Sequence, residues 1–218
     1  DHWRRGEADP RGPGMNQPRS SVALVGNDVV DLGDSDNHTS FARPGYVERV
    51  CTPSERRAIE AAEEPERLFW ALFAAKEASY KLLVKIGEEP GLAHRRIEVA
   101  GDLASSRFDD RELGLSVQHG EGWVHALATL GTSSPRFEVE SLPPHARASA
   151  AGRDLLCRMA AAALHVTGES LSIERRPSAS SYDGYEPPRL CDGGVPTGLD
   201  VSLSHDGRFV AGALAARD

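Results

Sequence analysis

Apolar side chains recur at helical spacing in two long segments of the chain. In residues 66–84, large apolar side chains return every three or four positions, at Leu68, Phe69, Leu72, Phe73, Ala75 and Leu82. Residues 149–165 have the same spacing, at Leu155, Leu156, Met159, Ala163 and Leu164. Because 3.6 residues complete one turn of an α-helix, this spacing predicts two long helices, each with a buried side.

Shorter apolar runs between turn residues predict β-strands. They are 21–25, which leads into Gly26-Asn27-Asp28, then 96–99, 115–118, 123–130 and 137–139, and a final hairpin of 201–204 and 209–215. Thr52, Pro53 and Glu55 have the spacing of a capping box with proline at the first helical position, which predicts a helix start at 53. The polar residues 34–40 predict a turn, and residues 177–198 a loop.

These elements fall into two blocks with a similar order of strand, helix and strand. We assign residues 21–140 to one half and 141–218 to the other. The segments 122–128 and 207–215 echo each other, since each has a glycine followed by a small apolar strand, although small apolar residues produce such echoes by chance as well. The order predicts an α+β fold of two similar α/β halves packed as a pseudo-dimer.

Composition narrows the class of protein. The 218 residues are 39% hydrophobic, which is enough for a substantial core, and the net charge of −8 disfavours a nucleic-acid partner. No apolar stretch approaches the roughly 18 residues of a membrane span. Residues 1–20 lack the apolar core of a signal peptide, and we expect them to form a disordered tail. Three widely spaced cysteines indicate free thiols in a cytoplasmic protein.

Two charged residues on the first long helix are candidates for chemistry. Glu77 and Lys81 are four positions apart and therefore share one side of the helix. The ordinary alternative is a surface salt bridge, which is common and weak. The surrounding helix, however, is apolar over most of its circumference, and charges among large apolar groups are costly unless they are paired or bind a metal.

Two further motifs carry polar groups at the ends of predicted strands. In Gly26-Asn27-Asp28-Val29-Val30-Asp31, the pattern places Asp28 where a strand gives way to a loop, and carboxylate oxygens suit Mg²⁺. An Asp- and Asn-rich turn is the alternative. In Ser202-Leu203-Ser204-His205, a histidine near the tip of the hairpin could donate to a phosphate, although an exposed loop histidine is the more frequent case.

The order of these motifs closely resembles the 4′-phosphopantetheinyl transferase superfamily. The chain has G-x-D-x-x-D at 26–31, then F-A-A-K-E-A-x-x-K at 73–81, then S-L-S-H at 202–205. Residues 49–55 (RVCTPSE) and Gly91-Leu92 match secondary motifs. The resemblance covers roughly residues 22–215 and is far more specific than any single motif.

The superfamily has a short form, the trimeric holo-acyl-carrier-protein synthase type, and a long form, the pseudo-dimeric surfactin-synthetase-activating type. This chain resembles the short form in motif order and the long form in length. Since residues 147–205 look like the N-terminal half of the long form, we hypothesise a circularly permuted long-type enzyme, and we expect a monomer. Position 30 is Val, where the long form usually has an acid.

The resemblance implies transfer of 4′-phosphopantetheine from coenzyme A to a serine of an apo acyl or peptidyl carrier protein, with release of 3′,5′-ADP. It implies a Mg²⁺ ion bound by Asp28 and Glu77, with Asp31 as a further ligand, directly or through water. Asp28, Glu77 and Lys81 are the implied catalytic residues. His205, Lys81, Arg147 and Arg153 are the implied coenzyme A contacts, although solvated helix arginines are equally common.

Two other functions remain open at this level: a Mg²⁺-dependent nucleotide hydrolase, and a non-catalytic module that binds coenzyme A or a carrier domain. The acidic chain also needs a local basic patch if it is to bind an acidic carrier protein. The candidates are Arg56 with Arg57, and Arg95 with Arg96. We expect no nucleic-acid or membrane partner.

Overall fold

The computed structural model describes residues 23–88, 91, 94–131, 134–178 and 184–216. The predicted tail at 1–20 lies outside the described residues, and so do positions 21–22 of the first predicted strand. Among the described residues, no helix has both the length and the hydropathy that a membrane span requires. All three cysteines are free thiols, and two of them, Cys51 and Cys191, are buried.

The elements follow one another in two series. The first contains β1 (Leu24–Asp31), α1 (Ser35–Phe41), α2 (Tyr46–Val50), α3 (Pro53–Ala61), α4 (Pro65–Lys85), β2 (Glu98–Val99), β3 (Ser105–Phe108), β4 (Arg111–Gly120) and β5 (Trp123–Leu130). The second contains β6 (Arg136–Ser141), α5 (Ala148–Leu164), β7 (Leu171–Glu174), β8 (Arg189–Asp192), β9 (Val195–Pro196), β10 (Leu199–Asp206) and β11 (Phe209–Ala216). Short 3-10 turns occur at His94–Arg96 and Gly168–Ser170.

Helices and antiparallel sheets together make an α+β fold, as predicted. The first sheet has the order β1-β5-β4-β3-β2, and α4 packs on β1 and β5. The second has the order β10-β11-β6, and α5 packs on β10 and β11. A third, small sheet has the order β7-β8-β9.

The two larger sheets share one strand order. In each, the first strand of the series pairs with the last, and the last pairs with the strand before it: β1-β5-β4 and β6-β11-β10. The echoing segments 122–128 and 207–215 occupy the equivalent strands β5 and β11. This order is consistent with the predicted pseudo-dimer. The boundary differs, however, because β6 lies mostly before residue 141 and pairs with β11 in the second sheet.

The two long helices agree with the apolar spacing to within one residue at each end. The core of the first series gathers around α4, where Phe69, Leu82 and Leu83 are fully buried. Burying a side chain of this size stabilises the fold by about 1.5–3 kcal/mol. The predicted capping box is also present, since the Thr52 hydroxyl accepts from the N–H of Glu55 and the Glu55 carboxylate accepts from the N–H of Thr52.

Short elements were predicted less well. Residues 34–40, predicted as a turn, form α1, because the Asp34 side chain accepts from the N–H of Asp36 and caps a helix. The predicted loop 177–198 contains β8 and β9, and the predicted strand at 96–99 begins as a 3-10 turn. β3 had no prediction. These elements are too short for a periodic pattern to distinguish them from turns.

Strand β1 is longer than predicted, and this changes the place of Asp28. All eight residues of β1 are buried, so Asp28 lies within the strand, opposite Ala126 of β5, and not at a strand end. Gly26 lies on the side of β1 that faces α4, because a Cβ at Gly26 would come within 2.1 Å of the Ala78 carbonyl oxygen. Since alternate residues of a strand share one side, Asp28 faces α4 too.

The outer edge of β1 is covered by side chains of β10. In an antiparallel pair, every second N–H of a strand points away from its partner, so β1 has donors that β5 cannot satisfy. Four of them, at Val25, Asn27, Val29 and Asp31, donate to the side chains of Asp200, Ser202, Ser204 and Asp206 respectively. We call this set the side-chain ladder. It holds the second sheet against β1 in one register.

Candidate active site

Three residues from distant predicted motifs line one cavity of about 210 Å³. They are Asp28 on β1, Glu77 on α4 and His205 near the end of β10. The remaining lining combines aromatic, aliphatic and polar side chains: Val29, Val30, Asn37, Tyr46, Trp70, Phe73 and Asp206. The cavity therefore lies where the first and second series of elements meet.

A somewhat larger depression, of about 290 Å³, lies elsewhere on the surface. It is lined by Ala62, Glu64, Arg67, Leu68, Ala71, Leu103 and His119. Arg67 already donates to Glu64 Oε2 and to His119 Nδ1, each at 3.3 Å. No predicted site residue lines this depression, so the chemistry of the lining selects the smaller cavity as the candidate site.

Asp28 is a buried carboxylate with two donors on one oxygen. Its Oδ1 accepts from Lys81 Nζ at 2.8 Å and from the Ser204 hydroxyl at 2.6 Å. Burial raises the pKa of Asp28, the charge of Glu77 raises it further, and Lys81 opposes both without cancelling them. A second positive charge near Asp28 would therefore be stabilising.

Glu77 lies on the same side of α4 as Lys81 but pairs with a different residue. Its Oε1 lies 2.5 Å from Nε2 of His94, in the 3-10 turn that follows α4. Burial alone would raise the pKa of Glu77, but the hydrogen bond and charge of His94, together with the charge of Lys81, lower it below its usual value. Glu77 is therefore ionised at neutral pH.

Lys81 and Lys76 have different partners. Lys81 pairs with Asp28 and also donates to the Asn27 carbonyl at 2.9 Å. Lys76 is fully buried and binds Glu55 at 2.9 Å. It also donates to the carbonyl oxygens of His94 and Ile97. Lys81 thus contacts the site through Asp28 and does not itself line the cavity, whereas Lys76 anchors the segment that carries His94.

His205 is an exposed residue that lines the cavity from β10 of the second sheet, whereas Glu77 lines it from α4 of the first series. Its neighbour Asp206 accepts from Asn37 Nδ2 at 2.7 Å and from the N–H of Asp31 at 2.8 Å. Asn37 also donates to the Asp31 carbonyl at 2.9 Å. These bonds connect α1, β1 and β10 around the cavity and fix the strand end that carries His205.

Asp31, predicted as a metal ligand, does not line the cavity. Its Oδ1 accepts from Arg208 Nη2 at 2.6 Å and from the N–H of Gly33 at 2.8 Å. Its Oδ2 accepts from Nε and from the backbone N–H of Arg208. Burial opposes the effect, but these bonds lower the pKa of Asp31. Both oxygens are thus occupied, and we leave Asp31 out of the proposed ligand set.

The two arginines predicted as coenzyme A contacts lie apart from the cavity lining. Arg147 is the N-cap residue of α5, and Arg153 is in the second turn of that helix. Both side chains belong to exposed residues, and neither lines the cavity. Their contacts with coenzyme A stay predictions.

Several residues of the site were not predicted from the sequence. Ser204 had a signal, because it stands in the S-L-S-H motif, but only its histidine neighbour was singled out. Asn37 and Tyr46 line the cavity from segments whose chemistry gave no sign of it. His94 follows Glu77 by seventeen residues, with a turn between, and no periodicity relates the two.

The donor set fits a divalent cation that takes few protein ligands. Among the described residues there is no cluster of three or more His, Cys, Asp or Glu side chains suited to a metal. Mg²⁺, however, commonly takes only one or two carboxylates and completes its shell with water and substrate phosphates. Asp28 and Glu77 are two carboxylates on one cavity, and the charge of Glu77 raises the pKa of Asp28. A cation between them would remove that repulsion.

Comparison with known proteins supplies the family. The model of the 4′-phosphopantetheinyl transferase superfamily matches residues 24–128. A holo-[acyl-carrier-protein] synthase of Azoarcus sp. (strain BH72) is 31% identical over 122 residues, which are 50% of this chain and 96% of that protein. The chain belongs to the 4′-phosphopantetheinyl transferase superfamily. The predicted family and its enzyme class are confirmed.

This phosphopantetheinyl transferase family member is also similar to a much longer protein. The fatty acid synthase alpha subunit hexA of Dothistroma septosporum is 32% identical over 118 residues, which are 50% of this chain but 35% of that protein. The crystal structure of Thermotoga maritima holo-[acyl-carrier-protein] synthase matches with a TM-score of 0.36 and 16% identity, over 80% of this chain and 85% of that one. That TM-score is too low to carry an argument. The family match includes Asp28, Glu77 and Lys81 and ends before His205.

Proposed function

We propose that this chain transfers 4′-phosphopantetheine from coenzyme A to a serine hydroxyl of an apo acyl or peptidyl carrier protein, in a Mg²⁺-dependent reaction. The observation that carries the proposal is the meeting of Asp28, Glu77 and His205 at one cavity in a chain of this superfamily. Two of these residues come from the matched segment, and His205 comes from the second sheet. Both parts of the fold would thus contribute to one site.

The reaction requires a proton acceptor for the serine. As the serine oxygen bonds to the phosphorus that carries pantetheine, the bond from that phosphorus to the bridging oxygen breaks and 3′,5′-ADP leaves. Glu77 is ionised at neutral pH and lines the cavity, so it can accept the serine proton. A carboxylate that also binds a metal is a weak base, and we therefore favour transfer of the proton through a water molecule.

Positive charge would stabilise the pyrophosphate and the leaving group. Lys81 provides it from α4, next to Asp28, and His205 can donate to a phosphate from the other wall. Asp28 and Glu77 would hold Mg²⁺, which supplies charge neutralisation on the phosphate oxygens when bound. Lys81, His205 and the bound Mg²⁺ would then surround the phosphates of coenzyme A on different sides.

The carrier protein would approach near the 3-10 turn His94–Arg96. Two exposed arginines, Arg95 and Arg96, stand next to His94, which contacts Glu77. Arg96 pairs with Asp109 at 3.1 Å, and this exposed pair contributes little to stability, so an acidic partner can compete for it. We propose these arginines, in preference to Arg56 and Arg57, as the local basic patch for an acidic carrier.

The test is a transfer assay with product identification by mass. The protein is mixed with coenzyme A, Mg²⁺ and an apo carrier protein, and the carrier is examined for the added phosphopantetheine mass. Asp28→Ala and Glu77→Gln are expected to lose transfer by about 100-fold or more while remaining folded. Glu60→Gln, an exposed carboxylate on α3, serves as the control and should transfer normally.

Other outcomes would replace the proposal. Hydrolysis of coenzyme A with no gain of mass on carriers of fatty acid, polyketide and peptide synthesis would indicate the nucleotide hydrolase. Binding of coenzyme A or carrier with neither reaction would indicate the non-catalytic module. Near-normal transfer by either site variant would refute the assigned roles.

A further inference from the structure

His94 contacts the proposed catalytic carboxylate and has no role in the reaction described so far. Its Nε2 lies 2.5 Å from Glu77 Oε1, and both side chains are mostly buried, with 22% and 24% of their surface exposed. An ionised carboxylate can only accept a hydrogen bond, so Nε2 must carry the proton and donate it. This is a charge-assisted bond, which is stronger than a bond between neutral groups.

The backbone and ring of His94 are themselves held in place. The imidazole stacks on the ring of Phe73, with centroids 5.6 Å apart and planes 20° from parallel. The His94 carbonyl accepts from the buried ammonium of Lys76. Lys76 in turn pairs with Glu55, whose other oxygen accepts from the N–H of Val99. His94 is thus fixed at its ring and at its backbone by groups of the core.

This support constrains a side chain that would otherwise rotate. Glu77 has three side-chain torsions, and its carboxylate can turn freely unless one oxygen is held. His94 holds Oε1, and among the described residues no hydrogen bond engages Oε2. The fixed oxygen therefore determines where the other oxygen can be presented to a cation in the cavity that Glu77 lines.

We infer that His94 is a positioning residue: its Nε2–H holds the Glu77 carboxylate in the orientation in which it binds the divalent cation. This inference rests on the proposed function, because the cation belongs to that reaction. Groups that hold a metal-binding carboxylate typically change metal affinity by about 10–100-fold when they are removed. His94 acts through Glu77 and touches no reacting atom in this account.

Two variants separate the hydrogen bond from the ring. His94→Phe keeps an aromatic ring against Phe73 but removes the donor. His94→Gln removes the ring but keeps an N–H that can reach a carboxylate. His38→Phe is the matched control, since His38 bonds Glu66 Oε1 at 2.6 Å and lies outside the cavity lining.

Each full-length variant is titrated with Mn²⁺ in the presence of coenzyme A. Binding is monitored by calorimetry or by the spin-resonance signal of free Mn²⁺. His94→Phe is expected to weaken Mn²⁺ binding by about 10–100-fold, whereas His94→Gln and His38→Phe should bind nearly as the wild type does. The Mg²⁺ dependence of transfer should change in the same order among the variants. The KM for Mg²⁺ should rise, and kcat should change less. Thermal unfolding of each variant reports any loss of folding.

Several results would overturn the inference. Equal weakening in His94→Phe and His94→Gln would mean that an N–H donor at this position is not sufficient, which contradicts the role assigned to the hydrogen bond. Unchanged binding in His94→Phe would mean that Glu77 needs no support, and a wild type that binds no Mn²⁺ would leave no site to position. If the wild type binds Mn²⁺ but modifies no carrier, the proposed function fails, while the comparison of variants still decides the role of His94.

Discussion

Ser202 and Ser204 allow the side-chain ladder to be tested with a matched pair of substitutions. Both are buried serines on the same side of β10, and each hydroxyl accepts from an N–H of β1: Asn27 at 3.0 Å for Ser202, and Val29 at 3.3 Å for Ser204. Only Ser204 also donates to the Asp28 carboxylate. Alanine at either position removes a ladder bond, but only Ser204→Ala changes the candidate site.

The expected magnitudes follow from these contacts. Ser202→Ala leaves the Asn27 N–H buried without an acceptor, since that donor faces away from β5. An unsatisfied buried donor of this kind costs about 1–3 kcal/mol. For a chain of this size, each kcal/mol lowers Tm by roughly 2–4 °C. Ser204→Ala should cost at least as much, because it also removes a hydrogen bond to a charged group, worth about 1.5–3 kcal/mol.

Two assays distinguish the variants. Urea unfolding gives the free energy of unfolding, which should fall in both. The carrier assay gives the transfer rate at a temperature at which both remain folded. Ser204→Ala should lose about 10–100-fold, as expected when a group supporting a metal-binding carboxylate is removed, whereas Ser202→Ala should transfer at nearly the wild-type rate.

Unfolding of Ser202→Ala at the wild-type urea concentration, with an unchanged m value, would show that the ladder bond does not contribute to stability. In that case, the Asn27 N–H would have another partner, such as water, and the second sheet would be held against β1 by apolar packing. Equal loss of transfer in the two variants would contradict the specific link between Ser204 and Asp28.

Three further changes test the scaffold around the site. Gly26→Ala should lower the free energy of unfolding by about 1–3 kcal/mol and also reduce transfer, because the new Cβ collides with the backbone of α4 and separates that helix from β1. Urea unfolding measures the stability and the carrier assay measures the transfer. Wild-type stability would refute the close approach of β1 and α4. Lys76→Met should cost about 3–5 kcal/mol, because it leaves the Glu55 carboxylate buried without its cation; adding Glu55→Gln should recover part of the loss in the same assay. Arg208 and Gly33 lower the folded pKa of Asp31, so the stability that Asp31 contributes is present above its ordinary pKa of 3.8 and is lost as the pH falls through the lower folded pKa. Asp31→Asn should therefore reduce stability at neutral pH and weaken the acid dependence of unfolding. An unchanged acid dependence would contradict the predicted direction of the pKa shift.

The long helices and one helix start could be predicted because their causes are local. The spacing of Phe69, Phe73 and Leu82 is enough to define a buried helix, and Thr52 with Glu55 is enough to define a cap, since the groups involved lie within a turn or two of one another. The same holds for the final hairpin, which forms from β10 and β11. The family could also be predicted from the sequence alone, because the order of its motifs along the chain can be read without the structure.

The arrangement of the site depended on contacts between residues far apart in the chain. Asp28 was predicted at a strand end but lies within β1, because β1 pairs with β5 along its whole length. Side chains of β10, 175 residues later, accept from the N–H groups on its other edge. The partner of Lys81 is Asp28 and the partner of Glu77 is His94. The salt bridge between Glu77 and Lys81, which was the alternative at their helical spacing, is not among the ion pairs of the described residues.

Periodicity and capping thus determined the two long helices, the start of α3 and several of the strands, and which charged residues stand on them. The packing of α4 on β1, and of β10 against the edge of β1, decided how those charges pair. It brings Arg208 to Asp31 and His94 to Glu77. The physical reason is that side-chain spacing constrains direction over a few residues only. Which polar groups meet in a buried site depends on which backbone donors and carboxylates the packed sheets leave without a partner.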